Sequence, residues 1–500
     1  MKKTTKILVS VTVLAALILS IGAMSACGKQ GDPSNETSGT EKTADTSVFN
    51  YEKNDLSVYY KLASLDILTN EAIIAKRDKM IADATVTAEG EKVQLTDGSM
   101  IEADYILYNA DMTKTLESGN FTYTLAEEEP FAGLYSAIGS SIVTIGSARI
   151  VRTLTVPEIY GEEDGVVMSF TVRKYVYSLL TSDNYARPLE YYRNALLLNY
   201  NKSLTAAEKA VEKGDTVVAS YKLVARAENS KYKIGDVLDS SENFSFTVGG
   251  GNTLADFDSA FIGRIEGDSF NNEMTLPEGY GGEYMSNLDV TFECTVKKVS
   301  KPLNDAAAKA MGYESLEDFN KKTDADARER YIYSTLSLSL LSSNSQYVSA
   351  PEAALFNYRD EQTYYQYYYL KYLVYYSSLT GTTTDVDTLA KALYGYDTAD
   401  DYLVYYFNSD GLKQQAKSSV GDTLLLFCFI QAAGLDISDE EFTEKYADDT
   451  AVIMGYDDAS SYYNMADVCY DVTEERALAI LKTDYYRLKA EEYFIGIAGK

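Results

Sequence analysis

The sequence has no histidine, which excludes Ser-His and Cys-His nucleophile systems and the commonest zinc sites. It also has no tryptophan, and only seven prolines and four cysteines in 500 residues. Beyond Cys27 the cysteines are Cys294, Cys428 and Cys469, far apart and odd in number, which argues against a disulfide framework or a metal cluster and for core residues. Basic residues are in deficit. With 45 Lys and Arg against 75 Asp and Glu the formal charge is −30, which repels phosphate backbones and makes nucleic acid a poor partner. After the N-terminal stretch no apolar run is long enough to span a bilayer; TLLLFCFIQAAGL, residues 423–435, is a buried helix at most. No metal and no cofactor is expected.

What is present begins with Met1-Lys2-Lys3 and Lys6, followed by an apolar run from Ile7 to Ile21, the charged-then-apolar layout of a secretory signal. Met24-Ser25-Ala26-Cys27 resembles a bacterial lipobox, with methionine where leucine is usual. That resemblance implies a signal peptide over 1–27 and lipidation at Cys27. Residues 28–48, GKQGDPSNETSGTEKTADTSV, are too polar to fold and read as a disordered tether. The expected location is the extracytoplasmic face of the cell membrane, held by a lipid anchor.

Five hundred residues exceed one hydrophobic core, so several folded units are expected. Two of them are announced by a repeat. The first copy runs EADYIL, NFTYTL, FAGLYSAIG, RTLTVPEIYG, MSFTVRKYV; the second runs VASYKL, NFSFTVGGG, LADFDSAFIG, NEMTLPEGYG, FECTVKKV. Each segment alternates apolar and polar positions, the period of half-buried strands, and Gly or Pro marks the joints. LADFDSAFIG spaces Leu254, Phe257 and Phe261 at helical intervals. The reading is a multidomain α+β chain: an N-terminal helical segment at 49–93, two antiparallel β-sheet/helix domains at 94–177 and 213–300, a helical linker at 178–212, and helices over 301–500.

In the second copy, KGDTVVASYKL, VLDSSENFSFTVGGG, LADFDSAFIGRIEGD, LPEGYGG and DVTFECTVKKV resemble, in order, the strands of an FKBP-type prolyl isomerase domain of the kind found in trigger factor. The resemblance covers about ninety residues. It implies a proline pocket at Tyr221, Leu238, Asp239, Phe244, Thr253, Leu254, Phe257 and Phe292, with Tyr280 on the rim and Gly282 where small members have a second rim tyrosine. Tyr221, Phe244, Leu254, Phe257 and Phe292 are expected as walls and floor, and Asp239 as a polar contact near the substrate carbonyl. Prolyl isomerisation lowers a rotation barrier of about 20 kcal/mol and breaks no bond. A dry aromatic cup suits it, and it needs neither imidazole nor metal. The first copy departs from the pattern: 16 positions separate Tyr105 from Phe121, against 23 between Tyr221 and Phe244, so the LDSS segment is missing, with Leu134 and Met168 at the Phe257 and Phe292 positions. It is expected to be a silent spacer or a binding module.

From Lys301 the sequence reads as helical to its end. GYESLEDF, GYDTADDY and GYDDASSY, at 312–319, 395–402 and 455–462, repeat a glycine turn, an N-capping residue and a new helix. Ser438-x-x-Glu441 reads as a capping box. These helices resemble the C-terminal arms of trigger factor and SurA-like periplasmic chaperones. TYYQYYYLKYLVYY, residues 363–376, places eight tyrosines in fourteen residues, more aromatic surface than one core face hides. The Gly-Phe-Arg-x-Gly-Lys loop by which trigger factors dock on ribosomes is not found in this sequence, so a ribosomal partner is not expected. The reading is a surface-anchored isomerase and chaperone whose partners are unfolded, proline-containing polypeptides. A non-catalytic holdase with both copies inactive, and a glycan-binding lipoprotein, stay open beside it.

Overall fold

The computed structural model describes residues 55–500 except 97, 126–128, 140, 155–165, 178–181, 283, 380–382, 498 and 500. The leader, Cys27, the tether and the first copy's TVPEIYG phrase lie outside these residues. The fold is multidomain α+β, and it condenses into two compact units. One contains Tyr191–Ala325 with Ser438–Lys482; the other contains Thr46–Glu190, Asp326–Ile437 and Thr483–Lys500.

The second unit opens with β1 (Tyr60–Lys61), the helix Asn70–Asp83, β2 (Thr85–Val86) and β3 (Lys92–Gln94). Its sheet is built from β4 (Met100–Asn109) and β5 (Thr115–Thr124), then β7 (Ala148–Leu154) and β8 (Val166–Val176), with β6 (Ile142–Thr144) pairing β3 before β7 begins. β4 lies between β5 and β8, and β7 joins β8, all antiparallel. Ile101, Ala103, Tyr105 and Leu107 alternate into the core of this sheet, against the short helix Leu134–Ile138.

The other unit carries the same plan in the same order. β9 (Thr216–Ala225) sits between β10 (Val237–Thr247) and β12 (Asp289–Ser300), and β11 (Ser269–Thr275) closes the edge. Val290, Phe292, Cys294 and Val296 alternate inward from β12, and Phe257 and Phe261 project from the helix Ala255–Phe261 onto them. The strand order β10-β9-β12-β11 matches β5-β4-β8-β7.

The C-terminal helices include three hairpins of one design, Asp305–Ala310 with Leu316–Asn344, Val386–Tyr394 with Ala399–Asn408, and Ala447–Ile453 with Ala459–Tyr470. In each, a glycine at positive φ ends the first helix: Gly312 at +93°, Gly395 at +80°, Gly455 at +92°. Ser315, Thr398 and Asp458 then cap the next helix by accepting from the amide three residues on. The tyrosine after each glycine packs on a buried aromatic six residues later, Tyr313 on Phe319, Tyr396 on Tyr402 and Tyr456 on Tyr462, at 4.9, 5.8 and 5.1 Å. An aspartate from the first helix, Asp305, Asp387 or Asp448, accepts from the first amide of the second.

Two readings are corrected. The helix before the second copy runs Ser182–Ser203 and stops there. Thr205 and Glu208 cap each other's backbone amides and open a separate turn, so the linker read as helical over 178–212 is helical only to Ser203. The region after Lys301 also holds a strand, β13 (Gln346–Tyr347), paired with β1. It lies between the long helices Leu316–Asn344 and Glu352–Leu379, where Pro351 interrupts the helical text and the freed backbone takes its partners from β1. Residues 424–430 are all buried, and no described helix is long and apolar enough to cross a membrane. Cys294 and Cys428 are core residues; Cys469 is half-buried.

Candidate functional site

In the second copy Tyr221 points from the central strand β9 to the open end of the sheet's inner face, half-buried where Ala219 and Leu223 are buried. Its ring stands edge-on to Phe244, Phe257 and Phe292, with centroids 5.4, 6.1 and 5.7 Å away. Phe257 and Phe292 meet at 4.8 Å and are nearly sealed, at 3% and 5% exposure. The arrangement is a cup with two buried rings as floor and two half-buried rings, Tyr221 and Phe244, as walls. Edge-to-face pairs of this kind contribute about 0.5–1.5 kcal/mol each beyond their area burial.

A bulge in β10 makes the wall possible. Ser241 pairs with Tyr221 and Phe244 with Ala219, so one extra residue intervenes and the strand's parity flips. Asp239 and Phe244, of opposite parity in sequence, therefore share the inner face. The Tyr221 hydroxyl donates to Asp239 Oδ2 at 2.7 Å, and the Ser240 amide donates to Asp239 Oδ1 at 2.8 Å. Burial raises the Tyr221 phenol well above its ordinary range, with the Asp239 hydrogen bond and charge adding to it. Burial also raises Tyr280, again with a contribution from Asp239, so both hydroxyls border one carboxylate at the mouth of the cup.

Of the other residues named from the sequence, Leu238 and Leu254 are half-buried against the same core. Tyr280 is 37% exposed on the rim loop. Thr253 turns its hydroxyl to Asp258, and Gly282 leaves its side of the rim open. Periodicity missed three contributors. Phe246 stacks on Phe244 at 5.5 Å and backs Phe257; the alternation in NFSFTV carried that signal. Asp258 is buried and fixes the strand-to-helix turn, accepting from the Gly249 amide at 2.8 Å and from Thr253. An acid on an amphipathic helix reads as a solvent-facing residue, so its role was not legible. Cys294, the register partner of Tyr221, lies beneath the cup, and burial pushes its thiol up to about 12.

The first copy does not lack the carboxylate. Leu107 pairs with Glu117 as Leu223 pairs with Asp239, and the Tyr105 hydroxyl donates to Glu117. The missing residues are six in the hairpin loop and one at the bulge, since Tyr–acid separations are 12 and 18 residues.

No protein-family profile matches the chain. It is similar to the trigger factor of Pelotomaculum thermopropionicum, 25% identical over 263 residues, which is 49% of this chain and 53% of that protein. The trigger factor of Chromobacterium violaceum is 33% identical over 109 residues, covering 21% of this chain and 24% of its own length. The chain thus spans about half, or less, of the curated relatives it matches. Among solved structures, the three FKBP domains of wheat FKBP73 align with 44% of this chain and 98% of that one at 13% identity, with a TM-score of 0.16. A structure of the trigger factor chaperone aligns with 66% of this chain and 76% of its own at 16% identity, also at 0.16. At those scores the two superpositions carry no weight, and the sequence relatives stand alone: over about half of its length the chain is similar to the trigger-factor chaperones.

Proposed function

We propose that the second copy is a peptidyl-prolyl cis/trans isomerase and that the chain acts as a folding chaperone on unfolded, exported polypeptides, held at the extracytoplasmic face of the membrane through lipidated Cys27. The observation that supports catalysis is the Tyr221–Asp239 pair at the mouth of a floor made of Phe257 and Phe292. A prolyl ring seated on that floor leaves water, and a low-polarity surround favours the twisted amide, whose charge separation is smaller, over the planar one. Asp239 fixes the Tyr221 ring, so the wall is in place before substrate arrives. Tyr280, 37% exposed on the rim, offers a second hydroxyl beside Asp239 for a bound chain's polar groups. The trigger-factor relatives support polypeptide as the partner class.

The test is two-dimensional NMR exchange on an Ala-Leu-Pro-Phe peptide with the full chain in mild detergent, beside Tyr221→Ala and Phe257→Leu. Exchange well above buffer that falls in both variants supports the isomerase. Wild-type exchange equal to buffer leaves only the non-catalytic holdase. Anchoring is tested separately, by mass spectrometry of the mature N-terminus and by release of Cys27→Ser from membranes.

A further inference from the structure

We propose that the first copy is a second prolyl-peptide-binding cup, assembled from residues different from those of the second. Its ligand class rests on the reading of the second copy; its geometry stands by itself. Register makes the equivalence. Tyr105 pairs with Gly119 and Phe170 where Tyr221 pairs with Ser241 and Cys294, and Leu107 pairs with Glu117 and Met168 where Leu223 pairs with Asp239 and Phe292.

Three features rebuild the cup. Glu117 replaces Asp239 as acceptor of the wall tyrosine's hydroxyl, and from Glu117 to Phe121 the strand runs without the bulge that separates Asp239 from Phe244. The large ring has moved from helix to loop: Phe131 stands at the Leu254 position and Leu134 at the Phe257 position. Phe131 lies 4.9 Å from Tyr105 and 5.7 Å from Phe121, so two half-buried rings cover a Tyr105 that is only 9% exposed, and a ligand's ring would enter by displacing Phe131. Gly119 admits the Tyr105 ring, because a β-carbon there would stand 3.1 Å from it. The floor is Leu134 and Met168, both fully buried. A thioether floor adapts its shape, which suits holding varied segments, and it lacks the two rings that give the second copy a rigid base. Phe170 also lines an adjoining cavity of about 420 Å³ with Val172 and Arg149, so the inner face of this sheet has open space beside the cup.

The experiment uses full-length protein with ¹³C-methyl methionine, titrated with Ala-Leu-Pro-Phe and, as control, Ala-Leu-Ala-Phe. Met168 reports the first cup and Met274 and Met285, which pack on the core of the second copy, report the other. The expected result is a saturable shift of the Met168 methyl with the prolyl peptide alone. Tyr105→Ala abolishes it, and Glu117→Gln, which keeps the side-chain volume, weakens it several-fold with the free spectrum unchanged. A Met168 resonance that stays still while Met274 or Met285 moves overturns the proposal and leaves the isomerase reading intact. Equal shifts with both peptides overturn the prolyl assignment. A Met168 shift in a protein without exchange activity supports this cup and removes that reading instead.

Discussion

A single hydroxyl distinguishes recognition from packing in the second copy. Tyr221→Phe keeps the ring that meets Phe244, Phe257 and Phe292 and removes only the donor to Asp239. A hydrogen bond to a charged acceptor contributes roughly 1.5–3 kcal/mol, less at a half-exposed site. We expect kcat/KM to fall about tenfold, on the order of 1.4 kcal/mol, while the melting temperature moves little. Phe257→Leu copies what the first repeat carries at Leu134; turnover should drop by a similar factor with the fold retained, whereas Phe257→Ala would cost about 3–5 kcal/mol and confuse the two effects. The same hydroxyl has a pH signature. The fold favours the protonated phenol, raising it from an ordinary value of 10.0, so its contribution is complete below about pH 10 and is lost as pH climbs toward the folded value. In urea titrations at pH 9 and 11, the stability difference between wild type and Tyr221→Phe should shrink at the higher pH; an unchanged difference would contradict the buried pairing. The thiols give a simpler readout. Burial pushes Cys294 up to about 12 and Cys428 to about 11, so both stay protonated at pH 8 and should resist iodoacetamide until the protein is unfolded, as peptide mapping would reveal.

At the scale of elements, the sequence was most informative where one physical rule dominated. Strand alternation on both sides of β9 and β12 exposed the duplication, and glycine followed by an N-cap marked all three helix starts. The N-cap half of the capping box was legible for the same reason: Ser438 Oγ accepts from the Glu441 amide at 3.1 Å, while the Glu441 carboxylate accepts from Lys445. Legibility failed where a contact crosses the sheet. Counting residues from Tyr105 suggested that the acid had been deleted, yet the loop shortened by six residues leaves Glu117 at the same register position. Asp258 and the β1–β13 pair were hidden for the same cause, since their partners are fixed by tertiary structure. The hairpins offer a test of how much such crossing contacts contribute. Asp448 accepts from the Ala459 amide at 3.0 Å and Asp387 from the Ala399 amide at 2.8 Å, each satisfying an otherwise orphaned donor at a helix start. Replacing either by alanine should lower stability by about 1 kcal/mol in thermal unfolding, like the loss of an N-cap. Glu440→Ala, on the first turn of the helix Asp439–Lys445, serves as the comparison.

On the scale of the whole molecule, the question is whether the proposed catalysis and the proposed capture are one property or two. Tyr221 belongs to one compact unit; Tyr375, Tyr376 and Tyr405 belong to the other and are exposed by 61, 43 and 57%. The other rings of the tyrosine-rich helix are spent on packing: its tyrosines from 364 to 372 are all more than half-buried, on several sides of the helix, Leu370 and Leu373 are buried, and Tyr402 reaches Gln366. Tyr375 and Tyr376 on that helix and Tyr405 on the helix Ala399–Asn408 are the most exposed tyrosines of its neighbourhood and are suited to weak, non-selective contact with extended chains. Substituting all three by serine gives up the contacts of Tyr376 with Tyr372 and of Tyr405 with Tyr396, so a loss of about 0.5–1.5 kcal/mol per pair is expected with the fold retained. The expected outcome is a double dissociation. Tyr221→Ala should lose prolyl exchange and still suppress aggregation of a reduced, unfolded client, while the triple serine variant should lose suppression and keep exchange. The charge of −30 adds a condition: capture of a basic client should weaken as salt rises, and capture of an acidic one should not. If Tyr221→Ala abolishes both activities, a single site does both jobs and the exposed tyrosines are bystanders.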